Sequence, residues 1–293
     1  MRHAPSYTWH DGFAMPMGFP VDAFASALAY EPAADDFFVA TYPKCGTTWA
    51  QNIVYLLTHG GQPLGASQSL SDAIPHLEEV GGAVVERLRE PRFIKTHLPY
   101  PLVPKHPTAR YLFVARNPFD CAVSFFHHTR GFVKHYAFAD GTFDEYFECF
   151  IAGEVDFGDY FDHLASWLPQ TRQPNVRMLT YEAMWADPRA AIVAIADFLG
   201  SATLREDPLV DAVLEHSSLA SMRQDQQRWS SRRPDDMPAF VRKGGVGDWV
   251  NYFSPEQCRR MLEKSARAAA VARLDALWPD VFRAARQRAD QTD

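Results

Sequence analysis

The sequence predicts an α/β fold in which a central, mainly parallel sheet is flanked by helices. Short runs of apolar, β-prone residues recur along the chain, which is typical of strands buried in a parallel sheet. Stretches with apolar residues at helical spacing separate these runs. The chain of 293 residues shows no internal repeat and no low-complexity tract. We therefore expect a single α/β domain over residues 1–293.

The first predicted strand and helix surround a short turn. Residues 37–42 (FFVATY) predict a buried strand, and residues 43–48 (PKCGTT) follow it as a turn. Trp49 and Ile53 then begin a helical pattern that Gly60 would end. This part of the chain predicts a strand, a loop and a helix in direct succession.

A second unit repeats that order. Residues 111–115 (YLFVA) predict a strand, and Asn117-Pro118 begins a helix that runs through Ser124. Residues 92–96 (RFIKT) and 176–181 (VRMLTY) are further strand candidates, each separated from its neighbours by helical stretches. The alternation predicts that these strands are parallel.

Later helices carry clear start and stop signals. Four helix starts are marked by a capping residue that is followed by a proline, by an acidic or amide residue, or by both. A glycine marks two helix ends. The starts are Thr142 with Glu145, Asp187-Pro188, Asp207-Pro208, and Ser254-Pro255 with Gln257, and the ends are Gly153 and Gly200. We expect a mobile loop over about residues 224–247 and a helical C-terminal tail over about residues 254–293.

The charge balance excludes some classes of partner. Lys and Arg number 29 and Asp and Glu number 36, which gives a formal net charge of −7. An acidic chain argues against a general binder of nucleic acid or of acidic membranes. Any anionic ligand must therefore be met by a local basic site.

The cysteines and the N-terminus indicate a cytoplasmic protein. Cys45, Cys121, Cys149 and Cys258 lie far apart, so neither a disulfide framework nor a zinc cluster is expected. Polar residues and prolines interrupt every apolar run near the N-terminus, and no segment is apolar enough to predict a membrane span. We expect reduced thiols in the cytoplasm.

The turn after the first strand has the composition of an anion site. A glycine-containing turn that leads from a buried strand into a helix gathers backbone N–H groups at the positive end of the helix dipole. Lys44 adds a charge, and Thr47 and Thr48 add hydroxyl donors. The order differs from a P-loop, because Lys44 precedes Gly46. The alternative is an ordinary turn with a surface lysine.

Four segments together resemble the cytosolic sulfotransferases, which use 3′-phosphoadenosine 5′-phosphosulfate (PAPS) as sulfuryl donor. The resemblance covers about residues 13–262 and implies a sulfotransferase fold similar in architecture to the P-loop kinases. The segments are residues 42–49 (YPKCGTTW), which resemble the phosphosulfate loop, 95–99 (KTHLP), 116–118 (RNP) with Ser124, and 242–249 (RKGGVGDW).

The resemblance implies catalytic roles for three residues. Lys44 would stabilise the charge that develops on the oxygen bridging phosphate and sulfur. His97 would be the general base that takes the proton of the acceptor hydroxyl. Lys95 would support the acceptor pocket or the sulfuryl oxygens. There are two alternatives: His97 has a structural role, or the base is His127 or His128.

The resemblance also implies a donor site with three parts. Some residues of this site have a structural alternative. For Arg116 it is an ion pair with Asp120. For Arg242 and Lys243 it is a solvated charge pair on a loop, and for Trp49 it is a place in the core. The phosphosulfate would contact Lys44, Cys45, Gly46, Thr47 and Thr48; the 3′-phosphate would contact Arg116, Ser124, Arg242, Lys243 and Gly244; and the adenosine would contact Trp49, Tyr181, Ser217, Leu219 and Met222.

The acceptor pocket is expected to be apolar. Several apolar and aromatic residues fall in segments that surround the acceptor in the family. The resemblance therefore implies that the acceptor is a small hydrophobic alcohol or phenol. His128 stands where relatives often carry an aromatic residue, and the alternative for the phenylalanines is ordinary core packing. The candidate acceptor residues are Phe13, Phe19, Phe126, His128, Phe132 and Phe240.

This sequence departs from the family pattern at two places. Cys45 takes the position of the usual serine, and a thiol there is expected to ionise and oxidise readily. Val250 and Ser254-Pro255 interrupt the dimer motif of the vertebrate relatives, which leaves the oligomeric state open. No metal is implied. A small-molecule kinase and a non-catalytic nucleotide-binding protein are the rival functions.

Overall fold

The computed structural model describes residues 3–65, 67–224, 226–229, 237, 239–268 and 274–291. Much of the predicted loop over about 224–247, namely residues 225, 230–236 and 238, lies outside the described residues. The strands are β1 (Tyr7–His10), β2 (Phe13–Pro16), β3 (Phe37–Thr41), β4 (Phe93–Thr96), β5 (Arg110–Ala115) and β6 (Val176–Thr180).

Helices follow or separate these strands along most of the chain. They are α1 (Val21–Leu28), α2 (Thr47–Thr58), α3 (Leu70–Ala73), α4 (Leu77–Val80), α5 (Gly82–Val85), α6 (Pro118–Gly131), α7 (Val133–Tyr136), α8 (Phe143–Ala152), α9 (Tyr160–Trp167), α10 (Tyr181–Ala186), α11 (Pro188–Leu199), α12 (Asp207–His216), α13 (Leu219–Gln224), α14 (Pro255–Ala268), α15 (Leu274–Leu277) and α16 (Pro279–Ala289). Short 3₁₀ turns cover Leu168–Arg172, Ala202–Arg205, Gln226–Arg228 and Asp248–Asn251.

The central sheet is parallel, which confirms the predicted fold class. Within the described residues it has four strands in the order β4-β3-β5-β6. In register, Val39 of β3 lies between Lys95 of β4 and Leu112 of β5. Because parallel strands end at the same edge, the residues that follow all four strands meet at the carboxyl edge of the sheet, where open α/β sheets bind ligands.

Apolar side chains on both faces of the sheet form the core. Phe38 and Phe113 lie in one buried cluster, and Val39 and Leu112 lie in the other. Neighbouring residues of a strand point to opposite faces, so a strand that is apolar throughout can serve both clusters. The continuous apolar runs in the sequence have this origin.

Most of the predicted helix boundaries are confirmed. Thr142 and Glu145 form a reciprocal capping box, Asp187 caps α11, and Gly153 and Gly200 are left-handed at the helix ends. The prediction for Asp207 was wrong. It is the first residue of α12 rather than its cap, and its exposed carboxylate pairs with Arg189 instead.

An N-terminal hairpin was not predicted. β1 and β2 pair antiparallel through a turn in which Asp11 and Gly12 both have positive φ, 46° and 81°. An Asp-Gly pair between β-prone residues is the sequence signal for such a turn. Among the described helices, none has the length and apolar character that crossing a bilayer requires.

Candidate active site

A cavity of about 820 Å³ opens at the carboxyl edge of the sheet. Residues that follow each of the four parallel strands line it: Lys44 after β3, His97 after β4, Arg116 after β5 and Tyr181 after β6. The fold thus brings three of the four sequence motifs to one wall. Residues 242–245, from the fourth motif, also line the cavity. They belong to the segment before α14, residues 239–249, which we call the late loop.

The turn between β3 and α2 depends on Gly46. Its φ is 97°, and a Cβ at this position would lie 2.8 Å from Cδ2 of Tyr181. Lys44 also has a positive φ, 68°. The Thr47 hydroxyl is fixed by the Thr41 hydroxyl at 2.6 Å. Glycine therefore lets the turn at the N-terminus of α2 pack against the Tyr181 ring, which a larger residue at position 46 would overlap.

Arg116 is buried and held by backbone oxygens. Its guanidinium donates to the carbonyl of Gly245 at 2.9 Å and to that of Lys44 at 3.3 Å, and it lies 4.3 Å from the centre of the Tyr181 ring. Its Nε is buried without a hydrogen-bond partner among the described residues. An unpaired donor of this kind is costly unless a ligand meets it.

The alternative for Arg116, an ion pair with Asp120, is not what the structure shows. Asp120 accepts hydrogen bonds from the backbone N–H groups of Gly247 at 2.8 Å and Trp249 at 3.1 Å. Asp120 therefore ties the late loop to α6 and leaves Arg116 to face the cavity.

The late loop places two cations on one carboxylate. Arg242 and Lys243 pair with Asp248 at 2.7 and 2.6 Å. Burial opposes the ionisation of Asp248, but hydrogen bonds from Lys243, Asn251 and Arg242 outweigh it and lower the pKa of this carboxyl to about 2. A Cβ on Gly244 would overlap the Leu219 side chain, so the loop approaches α13 as closely as a glycine permits.

The predicted adenosine contacts line the same end of the cavity. Trp49 meets the Tyr181 ring edge-on at 5.7 Å, and its indole Nε1 is buried without a partner among the described residues. Ser217, Leu219 and Met222 line this part as well, as do Thr48 and Ser124. The orphaned indole N–H of Trp49 and the orphaned Nε of Arg116 fit a polar ligand such as a nucleotide at this end of the cavity.

His97 lies where the strand β4 ends and faces the cavity. Its Nδ1 lies 2.8 Å from the carbonyl oxygen of Thr41. A carbonyl oxygen only accepts, so Nδ1 carries the proton and Nε2 keeps its lone pair. Burial lowers the pKa of His97 well below its usual range, and the nearby Lys95 and His76 lower it further. The imidazole is therefore held neutral, with one basic nitrogen.

Behind His97 lies a buried carboxylate that sequence reasoning missed. Glu78 Oε1 accepts the backbone N–H of His97 at 2.6 Å and the Thr96 hydroxyl at 2.8 Å, and Oε2 lies 3.3 Å from Nε2 of His76. Burial raises the pKa of Glu78, but His76, Thr96 and the His97 backbone outweigh it and lower the pKa. The signal in the sequence was the acidic pair Glu78-Glu79 within an otherwise apolar segment.

Lys95 also lines the cavity near His97. Burial lowers its pKa, while Glu79 and Glu78 act in the opposite direction. The ammonium of Lys44 lies 3.3 Å from Nδ1 of His128 and 4.4 Å from the centre of the Phe240 ring. Lys95, in β4, is thus close enough to His97 to lower its pKa, whereas the Lys44 ammonium, in the turn after β3, lies against His128 and Phe240.

The structure brings some of the predicted acceptor residues to the cavity and leaves others in the core. Phe19, His128, Phe132 and Phe240 line it. Phe13 instead stacks on Phe24 at 5.4 Å, and Phe126 packs edge-on against Phe143 at 5.6 Å. Both point away because their strand and helix turn these positions towards the hydrophobic core.

Cys45 also lies outside the cavity lining. Its side chain is fully buried, with its sulfur 3.8 Å from that of Cys121. The expected readily oxidised thiol is therefore enclosed by protein, and only the backbone of this residue belongs to the turn that faces the cavity.

Comparison with known proteins identifies the family. The family model described as "Sulfotransferase domain" matches residues 34–269. Human Sulfotransferase 1C2 is 31% identical over 258 residues, which are 83% of this chain and 86% of that protein. Mouse Sulfotransferase 1B1 is 32% identical over 271 residues, 85% of this chain and 89% of that protein.

Solved structures give the same result for the fold. The crystal structure of mouse sulfotransferase SULT7A1 in complex with PAP (adenosine 3′,5′-bisphosphate) superposes with a TM-score of 0.76 at 25% identity. The match covers 96% of this chain and 98% of that one. Retinol dehydratase in complex with androsterone and PAP also has a TM-score of 0.76, at 22% identity, with 90% of each chain covered. The chain therefore belongs to the sulfotransferase family, which confirms the family and the enzyme class that its four motifs predict.

Proposed function

We propose that this sulfotransferase moves a sulfuryl group from PAPS to the hydroxyl group of a small molecule, with His97 as the general base. The observation that carries the proposal is the fixed tautomer of His97, whose Nδ1 is held 2.8 Å from the Thr41 carbonyl. Its basic Nε2 belongs to a residue that lines the cavity beside the turn carrying Lys44.

The donor end of the cavity suits the nucleotide. Lys44, Cys45, Gly46, Thr47 and Thr48 would hold the phosphosulfate through the turn, its backbone N–H groups and the threonine hydroxyls. The 3′-phosphate would contact Arg116, Ser124, Arg242, Lys243 and Gly244, and the adenosine would contact Trp49, Tyr181, Ser217, Leu219 and Met222. PAPS supplies the activated sulfuryl group. The presence of PAP in the SULT7A1 crystal structure supports this assignment.

The acceptor hydroxyl loses its proton to His97. As Nε2 takes this proton, the acceptor oxygen forms its bond to sulfur, and the bond between sulfur and the bridging oxygen breaks. Lys44 would stabilise the charge left on the bridging oxygen, and Lys95 would lie beside the sulfuryl oxygens. The depressed pKa of His97 keeps it in the form that accepts a proton.

Calorimetric titration without magnesium tests the donor site. We expect adenosine 3′,5′-bisphosphate (PAP) to bind with a micromolar Kd and adenosine 5′-phosphate to bind at least about tenfold more weakly, because the latter lacks the group that Arg116 would meet. Equal binding, or none, would contradict the proposed donor site. Transfer of ³⁵S from labelled PAPS to 4-ethylphenol then tests turnover.

A further inference from the structure

The segment from His76 to Glu79 forms the wall of the cavity next to His97. His76 pairs with Lys95 in a parallel bridge, which fixes the segment alongside β4. The His76 ring meets the His97 ring edge-on, with 4.9 Å between the ring centres. Both His76 and Glu79 line the cavity. The segment therefore lies beside His97, on the side of the site that we assign to the acceptor.

Glu79 presents a carboxylate at the rim of this wall. Its side chain is 52% exposed, and its Oε2 lies 3.7 Å from Nδ1 of His76. Contact with His76 lowers the pKa of Glu79 to about 2, with further contributions from Lys95 and His135, although burial opposes them. The carboxylate is ionised at neutral pH, and half of its surface remains open to a ligand.

This wall presents the Glu79 carboxylate to the cavity. Glu78 and Glu79 both act on Lys95, the cation of this part of the cavity. The facing histidine His135 is bound through Nδ1 to the carbonyl oxygen of Met17 at 2.6 Å. Glu78 is buried and its Oε1 accepts hydrogen bonds from His97 and Thr96, so Glu79 is the carboxylate of this pair that lines the cavity. A charged wall of this sign repels anions and attracts cations.

We propose that the acceptor carries a protonated amine in addition to its reacting hydroxyl group, and that Glu79 binds this amine. The inference rests on the proposed function and names its substrate class: a hydroxyaryl group with a short aminoalkyl arm. Phe157, whose ring centre is 5.0 Å from that of His97, and Phe19, 5.3 Å from the His76 ring, would hold the aromatic part. One side chain, His76, separates the imidazole of His97 from the Glu79 carboxylate.

Three acceptors of similar shape and different charge test this inference. Tyramine carries a protonated amine, 4-ethylphenol is neutral, and 3-(4-hydroxyphenyl)propionate is anionic at pH 7. We expect the kcat/KM for tyramine to exceed that for 4-ethylphenol by roughly two- to fivefold, the range for an ion pair at a partly exposed rim, and the propionate to be the poorest acceptor. Calorimetric binding of the same acceptors to the complex of the enzyme with PAP should give the same order.

Glu79→Gln isolates the charge. The variant keeps the shape of the side chain and should bring tyramine to parity with 4-ethylphenol, while the Kd for PAP stays unchanged. Glu86→Gln is the matched control, since this exposed glutamate does not line the cavity. It should keep the preference for tyramine.

The possible failures are distinguishable. If PAP binds and 4-ethylphenol equals or exceeds tyramine, or if Glu79→Gln keeps the full preference, the acceptor inference is overturned and the donor site stands. If PAP does not bind, the proposed function itself is overturned, and the acceptor inference falls with it.

Discussion

The two ends of the cavity differ in charge and in how they are built. Lys44, Arg116 and Arg242 bring positive charge to the donor end, on residues that follow strands or belong to the late loop. At the acceptor end, Glu79 lines the cavity with the buried Glu78 behind it, on a segment that precedes β4, and both carboxylates act on Lys95 within β4. The comparison predicts that one cavity holds an anionic nucleotide at its donor end and disfavours an anionic acceptor near Glu79, because the charged side chains differ between the two ends.

His97→Ala should have the largest effect on turnover, because this residue lies where the donor end and the acceptor end of the cavity meet. We expect kcat to fall by about 10²-fold or more, the usual effect of removing a general base. The Kd for PAP should stay unchanged, because the donor contacts are made by other residues. Turnover and calorimetry on the same preparation measure both. A near-normal kcat would remove His97 from the mechanism.

Arg116→Ala sharpens the donor side of the comparison. Removing the guanidinium should weaken PAP by roughly 10- to 100-fold, the range for a lost charge-assisted hydrogen bond. The affinity for adenosine 5′-phosphate should change little, since that ligand has no 3′-phosphate. Titration of both ligands checks the difference. An equal loss for both would show that Arg116, which also binds the Gly245 carbonyl, acts through the loop structure alone.

Glu78→Gln tests how the acceptor end positions the base. The variant keeps the volume of the side chain but removes the charge that accepts the His97 and Thr96 hydrogen bonds. We expect about a tenfold loss of kcat, smaller than the loss of about 10²-fold or more expected for removing the base itself, with the KM for the acceptor and the Kd for PAP unchanged. Glu86→Gln should leave all three parameters at wild-type values. A loss of PAP binding would instead indicate a general structural defect.

The pH profile carries the smallest expected effect. Protonation would disable His97, but its pKa lies well below the ordinary value of 6.5, so the basic form persists as the pH falls. We expect kcat/KM for 4-ethylphenol to change little between pH 7.5 and pH 6, by less than about twofold. Burial raises the pKa of Asp156, another lining residue, to about 7. The variant Asp156→Asn therefore serves as the control for the titration of Asp156. A fall of kcat/KM below about pH 6.5 in both the wild type and this variant would contradict the depressed pKa of His97.

The donor end was predictable because its residues are contiguous with the elements that position them. Lys44 to Thr48 lie between one predicted strand and one predicted helix, and Arg116 follows a strand directly. Once the strands are parallel, their following residues meet at one edge without further information. Gly46 is an example of a feature that depends only on neighbouring residues, since its positive φ belongs to the turn itself.

The acceptor end was not predictable to the same degree. Phe13 and Phe126 are aromatic residues in the expected segments, yet packing turns them into the core, whereas Phe19 and Phe132 reach the cavity. His76, Glu78 and Glu79 form the charged wall although no motif marked them. Their roles arise from contacts with β4 and with His97, about twenty residues away in the sequence.

The sequence by itself therefore determined the parallel sheet, the family and the position of the turn between β3 and α2, because periodicity and motifs are local properties of the chain. Tertiary structure alone decided the charge of the acceptor wall, the tautomer of His97 and the burial of Cys45 against Cys121. These features depend on which side chains from distant segments meet, and their hydrogen bonds and desolvation exist only after packing has brought them together.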